Sequence, residues 1–384
     1  MSVLPDFFLD RIISVPSLNR LFDQARIKAA AGGGNLRGYS QRELRGGNAT
    51  NLAYGLASLS VKTILHCVGD AFALAATTNA PRNLQVRVIP GEPGLTTALE
   101  FPFKGRIVNV MISDVGGVGD FDGGKLSKID MLTMEKSDCV ALVNWSANNN
   151  GNALAKKVFS VKGRKNRLHF LDPADLSGAE GRIKPLKRIT DEGLIDVVSV
   201  NENETRILAG FFSAPRLPRR YTDRDVLRAS VSLQNILQVN VDIHTPIGSA
   251  SASSEDQTWA PAPRLVGESV TGAGDIWDAG DLIGHLMHFN MEDRLHFANA
   301  CAYLYLSSGG VRLPKLKEVQ HFLDDGSSGA QPSQRCSHSR TTVYTLPRDR
   351  VYAEHTAAYS RCHEAFRRTD VGRYGMIYRK APPY

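Results

Sequence analysis

From residue 61 to residue 309 the chain alternates short apolar runs with longer stretches whose apolar residues recur at helical spacing. The candidate strands are 63–68, 139–144, 167–171, 197–200 and 239–245. Helical patterns cover 48–59, 151–159, 202–209 and 222–237. Apolar strands alternating with helices predict a parallel sheet covered on both faces. In such sheets ligands bind beyond the carboxyl ends of the strands, so the polar residues there are the ones to inspect. Asn144 and Asp172 stand at two such ends. Trp145, next to Asn144, either stacks on a substrate ring or belongs to the core. Two adjacent extended runs, 96–103 and 106–113, break the rhythm. Lys104-Gly105 separates them, so they read as a hairpin that serves as a sheet edge or as a lid.

Several classes of protein are disfavoured. No apolar run approaches the ~20 residues of a membrane span, and the N-terminus lacks the pattern of a secretory signal. Five scattered cysteines without a CxxC pair argue for a reducing, cytoplasmic setting and against a disulfide framework or a zinc site. The net charge is +7, but residues 331–384 hold ten of the 46 Lys and Arg and only four of the 39 Asp and Glu. The rest of the chain is therefore nearly neutral, and charge gives a nucleic-acid role for it no support. A Ser-, Gly-, Gln- and Pro-rich linker is expected at 326–340, followed by a basic tail at 341–384.

The segment Val270-Thr271-Gly272-Ala273-Gly274-Asp275 precedes a helical pattern with apolar residues at Ile276, Ala279, Ile283 and Leu286. Small residues let backbone amides approach a ligand, and a helix N-terminus favours negative charge. Together they suit a phosphate. A carboxylate in the first turn would repel a bare phosphate, unless it accepts the proton of a hydroxyl that attacks that phosphate. The plain alternative is a glycine-rich turn with an ordinary helix N-terminal acid.

Gly272-Ala273-Gly274-Asp275, continued as Ile276-Trp277-Asp278-Ala279-Gly280, resembles the C-terminal signature of the PfkB (ribokinase-like) carbohydrate kinases. Gly46-Gly47-Asn48-Ala49-Thr50-Asn51-Leu52-Ala53, followed by Val68-Gly69-Asp70, is similar to the N-terminal signature. The resemblance spans roughly residues 6–323. It implies an α/β/α three-layer sandwich with a mostly parallel, doubly wound sheet and a small β-lid, whose strands would fall at about 10–45 and 94–114. It also implies transfer of a nucleotide's terminal phosphate to a hydroxyl of a small sugar, with Asp275 as base and the amides of Gly272, Ala273 and Gly274 as anion hole.

By the same resemblance Asp10, Gly47, Asn48, Asn51 and Asn144 would bind the acceptor. Asn201, Glu204, Thr245, Gly248, Thr271 and Asn299 would line the nucleotide, ATP or ADP. Glu204, in Asn201-Glu202-Asn203-Glu204, would hold Mg²⁺ through water, as a hard cation that keeps its waters allows. Asn201 and Glu204 would equally serve as a plain acidic helix start.

Two departures carry expectations of their own. Only nine residues precede Asp10, Pro5 among them, so the first strand is expected to be short or missing and the N-terminus incomplete. Pro246 removes a backbone donor in the turn 244–248, where the family has a Thr-x-Gly turn, which leaves the choice of ATP or ADP open. Ribose-1-phosphate and nucleoside kinases remain alternatives, as does a non-catalytic relative. The lid would allow a homodimer without requiring one, and contact of the tail with nucleic acid is not expected.

Overall fold

The computed structural model describes residues 1–77, 79–104, 106–265 and 271–326. Gly105 of the hairpin turn and the whole basic tail lie outside them, as does the expected linker beyond Gly326. The strands are β1 (Ser2–Leu4), β2 (Phe8–Ser14), β3 (Gln41–Gly46), β4 (Thr63–Gly69), β5 (Leu84–Pro90), β6 (Gly94–Phe103), β7 (Arg106–Asp114), β8 (Cys139–Leu142), β9 (Leu168–Leu171), β10 (Val197–Asn201), β11 (Asn240–Thr245), β12 (Gly248–Ala252) and β13 (Gln257–Pro261). The helices are α1 (Leu18–Ala30), α2 (Asn48–Ser58), α3 (Ala71–Ala76), α4 (Lys128–Glu135), α5 (Gly151–Phe159), α6 (Glu180–Asp191), α7 (Glu202–Phe211), α8 (Asp223–Leu237), α9 (Ala273–Leu286), α10 (Met291–Ser307) and α11 (Leu316–Gly326).

Among the described residues the larger sheet has nine strands in the order β13-β12-β11-β10-β9-β8-β1-β4-β5. All neighbours are parallel except β11–β12 and β12–β13. Alternation along each strand sends side chains into two separate apolar layers. Val140, Leu142, Leu171, Val198, Val200 and Ile243 pack with helices α4 to α8. Val3, Leu65, Cys67, Cys139, Ala141 and Phe170 pack with α2, α9, α10 and α11. A slip of one residue would exchange the two sets, so the pattern fixes the register. The sheet is therefore the middle of an α/β/α sandwich, the fold class that the sequence implied.

The helices begin where the chain supplies acceptors for their free first-turn amides. Reciprocal caps are made by Ser127 with Asp130 on α4, Asn201 with Glu204 on α7 and Thr222 with Asp225 on α8. The candidate strand 139–144 stops at Leu142, because Asn144 turns the chain with a left-handed φ of 52°. Trp145 is wholly buried among the α4–α8 layer, so of its two possible roles the core is the one observed. The first strand is short, not missing: β1 sits in the sheet between β4 and β8.

A second sheet, in the order β3-β2-β6-β7, stands at the carboxyl edge of the first. The runs read as a hairpin are β6 and β7, paired from Leu95↔Asp114 to Phe103↔Arg106. Strand β2 pairs parallel to β6 and antiparallel to β3, which brings Asp10 level with Thr96 and Leu44.

Helix α9 crosses α10 closely because α9 offers glycines at the contact. A Cβ on Gly280 would lie 2.8 Å from the Ala298 Cα, and one on Gly284 would strike the Arg294 side chain. Beside this crossing Arg294 donates to both oxygens of Asp242, each at 3.0 Å, to Ser251 Oγ at 2.7 Å and to Asp281. All three charged groups are buried, and the guanidinium holds Asp242 well below the usual carboxylate range despite that burial. Removing one member of a buried ion network strands the others. We expect Arg294→Met to lower unfolding stability by about 3–5 kcal/mol. Urea denaturation checks this, and a loss under about 1 kcal/mol would contradict the account.

Candidate active site

The cleft lies where the carboxyl ends of β1, β8, β9 and β10 meet the N-termini of α2 and α9. Asp6, two residues beyond β1, is buried. Its carboxylate accepts from the backbone amides of Asn48 (2.9 Å) and Ala49 (2.7 Å) and from Asn144 Nδ2 (3.0 Å). Its own carbonyl accepts from Thr50 Oγ1 at 2.9 Å. Burial pushes Asp6 up to about 6, against the pull of these donors. Gly47 makes the arrangement possible. It has a φ of +95°, and a Cβ there would lie 2.8 Å from Asp6 Oδ2.

Helix α2, thus anchored, carries two amides to Asp275. Asn48 Nδ2 donates to Asp275 Oδ1 and Asn51 Nδ2 to Oδ2, both at 2.9 Å. Asp275 lies in the first turn of α9, and Gly272 caps that helix with a φ of +86°. A Cβ on Gly272 would approach both the Tyr305 hydroxyl and Asn51 Nδ2, and one on Gly274 would approach the His244 ring. The first-turn amides of α9 have no partner inside the helix, and a helix start of this kind favours negative charge. Thr271 is tied to α10, its carbonyl accepting from the Tyr305 hydroxyl at 3.1 Å. His244 stacks on Trp277 with ring centroids 5.1 Å apart, and burial brings its pKa down to about 4.

Carboxylates dominate the electrostatics. Burial, then the charge of Asp172, then that of Asp6, raise Asp275 well above the ordinary value. Asp278, one turn further along α9, accepts from Ser199 Oγ at 2.6 Å and is raised by burial and by Asp172. Glu204 accepts from the amide of Asn201 (2.8 Å) and from Asn201 Nδ2 (2.6 Å), and it too is raised by burial and then Asp172. Asp172 itself, beyond β9, is pushed by burial up to about 7, and its carboxylate accepts from the Ala174 amide at 2.8 Å. Among the described residues none of Asp6, Asp172, Glu204, Asp275 and Asp278 has a basic partner within ion-pair distance.

An unpaired acidic group of this kind fits a cation better than it fits none. Asp172 and Glu204 offer oxygen donors of the hard type that Mg²⁺ takes. Among the described residues, the three ligand atoms that do lie close enough to chelate an ion directly belong to Asp242, Asp281 and His285, where Arg294 already supplies the positive charge. Among the described residues no three of the cleft acids come that close, which suits an ion that keeps its own waters.

Of the residues expected to bind ligands, Asn48, Asn51, Asn144 and Gly47 converge on Asp6 and Asp275. Asp10 stands on β2 at the rim. It is pushed up to about 6 by burial, hydrogen-bonded to Thr96 and affected by the charge of Asp6. Asn201 and Glu204 reach the cleft as the capped start of α7. Thr245 and Asn299, expected to line the nucleotide, make hydrogen bonds within the protein. Thr245 Oγ1 donates to the Gly248 carbonyl at 2.7 Å and closes the β11–β12 turn. Asn299 accepts from Trp277 Nε1 (2.8 Å) and Ser249 Oγ (3.0 Å) and donates to the Ala260 and Pro261 carbonyls. These four bonds use the hydrogen-bonding capacity of its side-chain amide. Asp6 and Asp278 were not anticipated. Asp278 is one turn beyond Asp275, a spacing that the helical pattern already held.

The fold has many solved counterparts. A ribokinase from Thermotoga maritima is 18% identical, with 84% of this chain and 98% of that one covered and a TM-score of 0.62. An adenosine kinase from Sinorhizobium meliloti is 14% identical, over 80% of this chain and 93% of that one, at 0.61. A ribokinase from Cryptococcus neoformans in complex with ADP is 13% identical, over 84% and 98%, at 0.64. No family model and no curated protein matches the chain. The fold is ribokinase-like.

Asp172 offers a direct test of the electrostatics. Its folded-state pKa of about 7 lies above the ordinary 3.8, so folding favours the protonated form. That contribution is present below about pH 4 and lost as the pH rises through about 7. With divalent cations chelated, Asp172→Asn is expected to be more stable than wild type at pH 8 by roughly 1–3 kcal/mol, and the gain should vanish near pH 4. Urea denaturation at both pH values measures it. A difference that does not change with pH would refute the assignment.

Proposed function

We propose that the chain is a kinase, transferring the terminal phosphoryl group of a nucleotide to a hydroxyl of a small sugar or nucleoside. The observation that carries this reading is the placement of Asp275. A carboxylate held by two asparagine amides stands in the first turn of α9, beside that turn's own free amides. A hydroxyl lodged between α2 and the second sheet would meet Asp275 as proton acceptor. The phosphoryl group would meet the amides of Gly272, Ala273 and Gly274.

Each residue then has a physical task. Asn48 and Asn51 hold the carboxylate in one orientation, which limits the entropy lost on reaching the reactive geometry. Burial and neighbouring acids raise its affinity for a proton, as a base operating near neutrality needs. Amides at a helix start stabilise charge that develops on the phosphoryl oxygens. Asp10, Gly47 and Asn144 line the acceptor side, while Asn201 and Glu204 face the nucleotide side. Glu204 and Asp172 would hold Mg²⁺ through its waters, and the ion, when bound, neutralises phosphate charge. ATP and ADP both remain candidate donors, and the names of the solved counterparts support sugars and nucleosides as acceptors.

The test is nucleotide turnover with Mg²⁺ against a panel of sugars, sugar phosphates and nucleosides. Asp275→Asn should lower kcat by roughly 10²–10⁴-fold. The active form is the deprotonated one, so activity should fall as the pH drops through the raised pKa of Asp275, well above the range of an ordinary aspartate. A folded protein without turnover on any pair, or a variant as active as wild type, would end the kinase reading.

A further inference from the structure

Arg45 is the penultimate residue of β3, immediately before Gly46 and Gly47. Its guanidinium lies over the ring of Tyr54, 3.8 Å from the centroid. Tyr54 stands three residues after Asn51 on α2, and Asn51 holds Asp275. On the other side is Tyr305 of α10, whose hydroxyl reaches the Thr271 carbonyl and lies 3.2 Å from the Cβ position of Gly272. Burial raises the pKa of Tyr305, the charge of Asp275 adds to that, and the charge of Arg45 opposes it. The guanidinium thus belongs to the wall that joins the second sheet to the start of α9.

This cation has no counter-charge. Among the described residues it makes no hydrogen bond or ion pair, and its Nε is buried without an acceptor. Other sheltered arginines are served: Arg87 by Asp130, Arg167 and Arg182 by backbone carbonyls, Arg294 by two aspartates. Burial lowers the pKa of Arg45, yet an arginine remains charged at any physiological pH. Stacking on Tyr54 orients it but satisfies none of its five N–H donors. A planar fork of donors, part-buried and stacked on a ring, is suited to a phosphate or a carboxylate.

Two sources could supply that anion, the acceptor or the nucleotide. The position favours the acceptor. The next two residues, Gly46 and Gly47, face Asp10 and Asp6, with Cβ positions 2.0 Å from Asp10 Oδ2 and 2.8 Å from Asp6 Oδ2. We propose that Arg45 is the anion-recognition residue of the acceptor cleft. The acceptor then carries a phosphate or carboxylate besides the hydroxyl that is phosphorylated: a sugar phosphate or sugar acid, not a neutral sugar or nucleoside. This substrate class rests on the kinase reading.

The experiment separates the two. Equilibrium binding without nucleotide is measured for ribose against ribose 5-phosphate, fructose against fructose 6-phosphate, and glucose against gluconate. The proteins are wild type, Arg45→Met, Arg45→Lys and Asp275→Asn. Arg45→Met keeps the apolar stem, and Arg45→Lys keeps the charge should the methionine variant fold poorly. At least one anionic sugar should bind wild type ~10–100-fold more tightly than its neutral twin, the size of a sheltered charge-assisted hydrogen bond. Arg45→Met should lose that preference, Arg45→Lys should keep part of it, and Asp275→Asn should keep it all while losing turnover. If no sugar binds, inorganic phosphate is titrated alone, and stabilisation by phosphate that disappears in Arg45→Met supports the assignment. Equal binding of both twins, a preference that survives in Arg45→Met, phosphate stabilisation that is absent or unchanged by the substitution, or a loss confined to nucleotide affinity would overturn it. An anionic preference without turnover on any acceptor would instead refute the kinase reading and leave the anion site standing.

Discussion

The cleft depends on one buried carboxylate, Asp6. It takes two backbone amides at the start of α2 and the side-chain amide of Asn144, so it joins the end of β1 to the end of β8 and to the helix that carries Asn48 and Asn51. Without an acceptor there, the first-turn amides of Asn48 and Ala49 would lose the partner that Asp6 gives them. The helix start also favours negative charge, which makes aspartate a fitting residue in spite of its burial. The balance is narrow. Its pKa is pushed up to about 6, so desolvation outweighs the three donors. Everything downstream inherits this geometry, since α2 places the asparagines and the asparagines aim Asp275.

The same sheet shows what buried acids do with and without a partner. Asp242 and Asp172 both lie at or just beyond strands of the parallel region. Asp242 meets Arg294 and is held strongly ionised, a structural solution that ties β11 to α9 and α10. Asp172 meets further carboxylates and is pushed up to about 7. Burial is common to both, so the difference lies in the neighbours. A protein gains no stability from crowding Asp172, Glu204, Asp275 and Asp278 together, and such a cost persists where function uses it. The same reasoning marks Arg45 on the opposite wall, a charge sheltered without a partner.

Much of this was legible in the sequence because burial on both faces writes itself as short apolar runs. Strands β4, β9, β10 and β11 emerged within a residue or two for that reason, and α5 and α8 followed from their helical spacing. The Gly272-to-Asp275 turn was legible because few residue types permit such close approach. Asp6 was not. It follows a three-residue strand and Pro5, too short a run to display a period, and the resemblance pointed to Asp10. The four protein partners of Asn299 were equally hidden, since an asparagine on a helix looks the same in sequence whatever its amide faces. The parallel pairing of β2 with β6 was also hidden, since register between segments some eighty residues apart leaves no local trace.

The division between what can vary and what cannot follows from the physics of each part. Core positions of the two layers ask for apolar volume and little else, so many combinations of Val, Leu, Ile and Phe serve. Low identity among chains of one fold is then expected across most of the sequence. The cleft asks for more. Gly47 and Gly272 need positive φ and the absence of a Cβ, and Asp275 needs both oxygens within reach of amides on another helix. These demands fall on two short stretches more than 220 residues apart, at Gly46–Asn51 and Gly272–Asp275. The two stretches meet in the folded structure, where Asn48 and Asn51 hold Asp275. Recognition of such a chain therefore concentrates in these two stretches, while the residues that decide its acceptor, Arg45 among them, lie just outside and are read only from the fold.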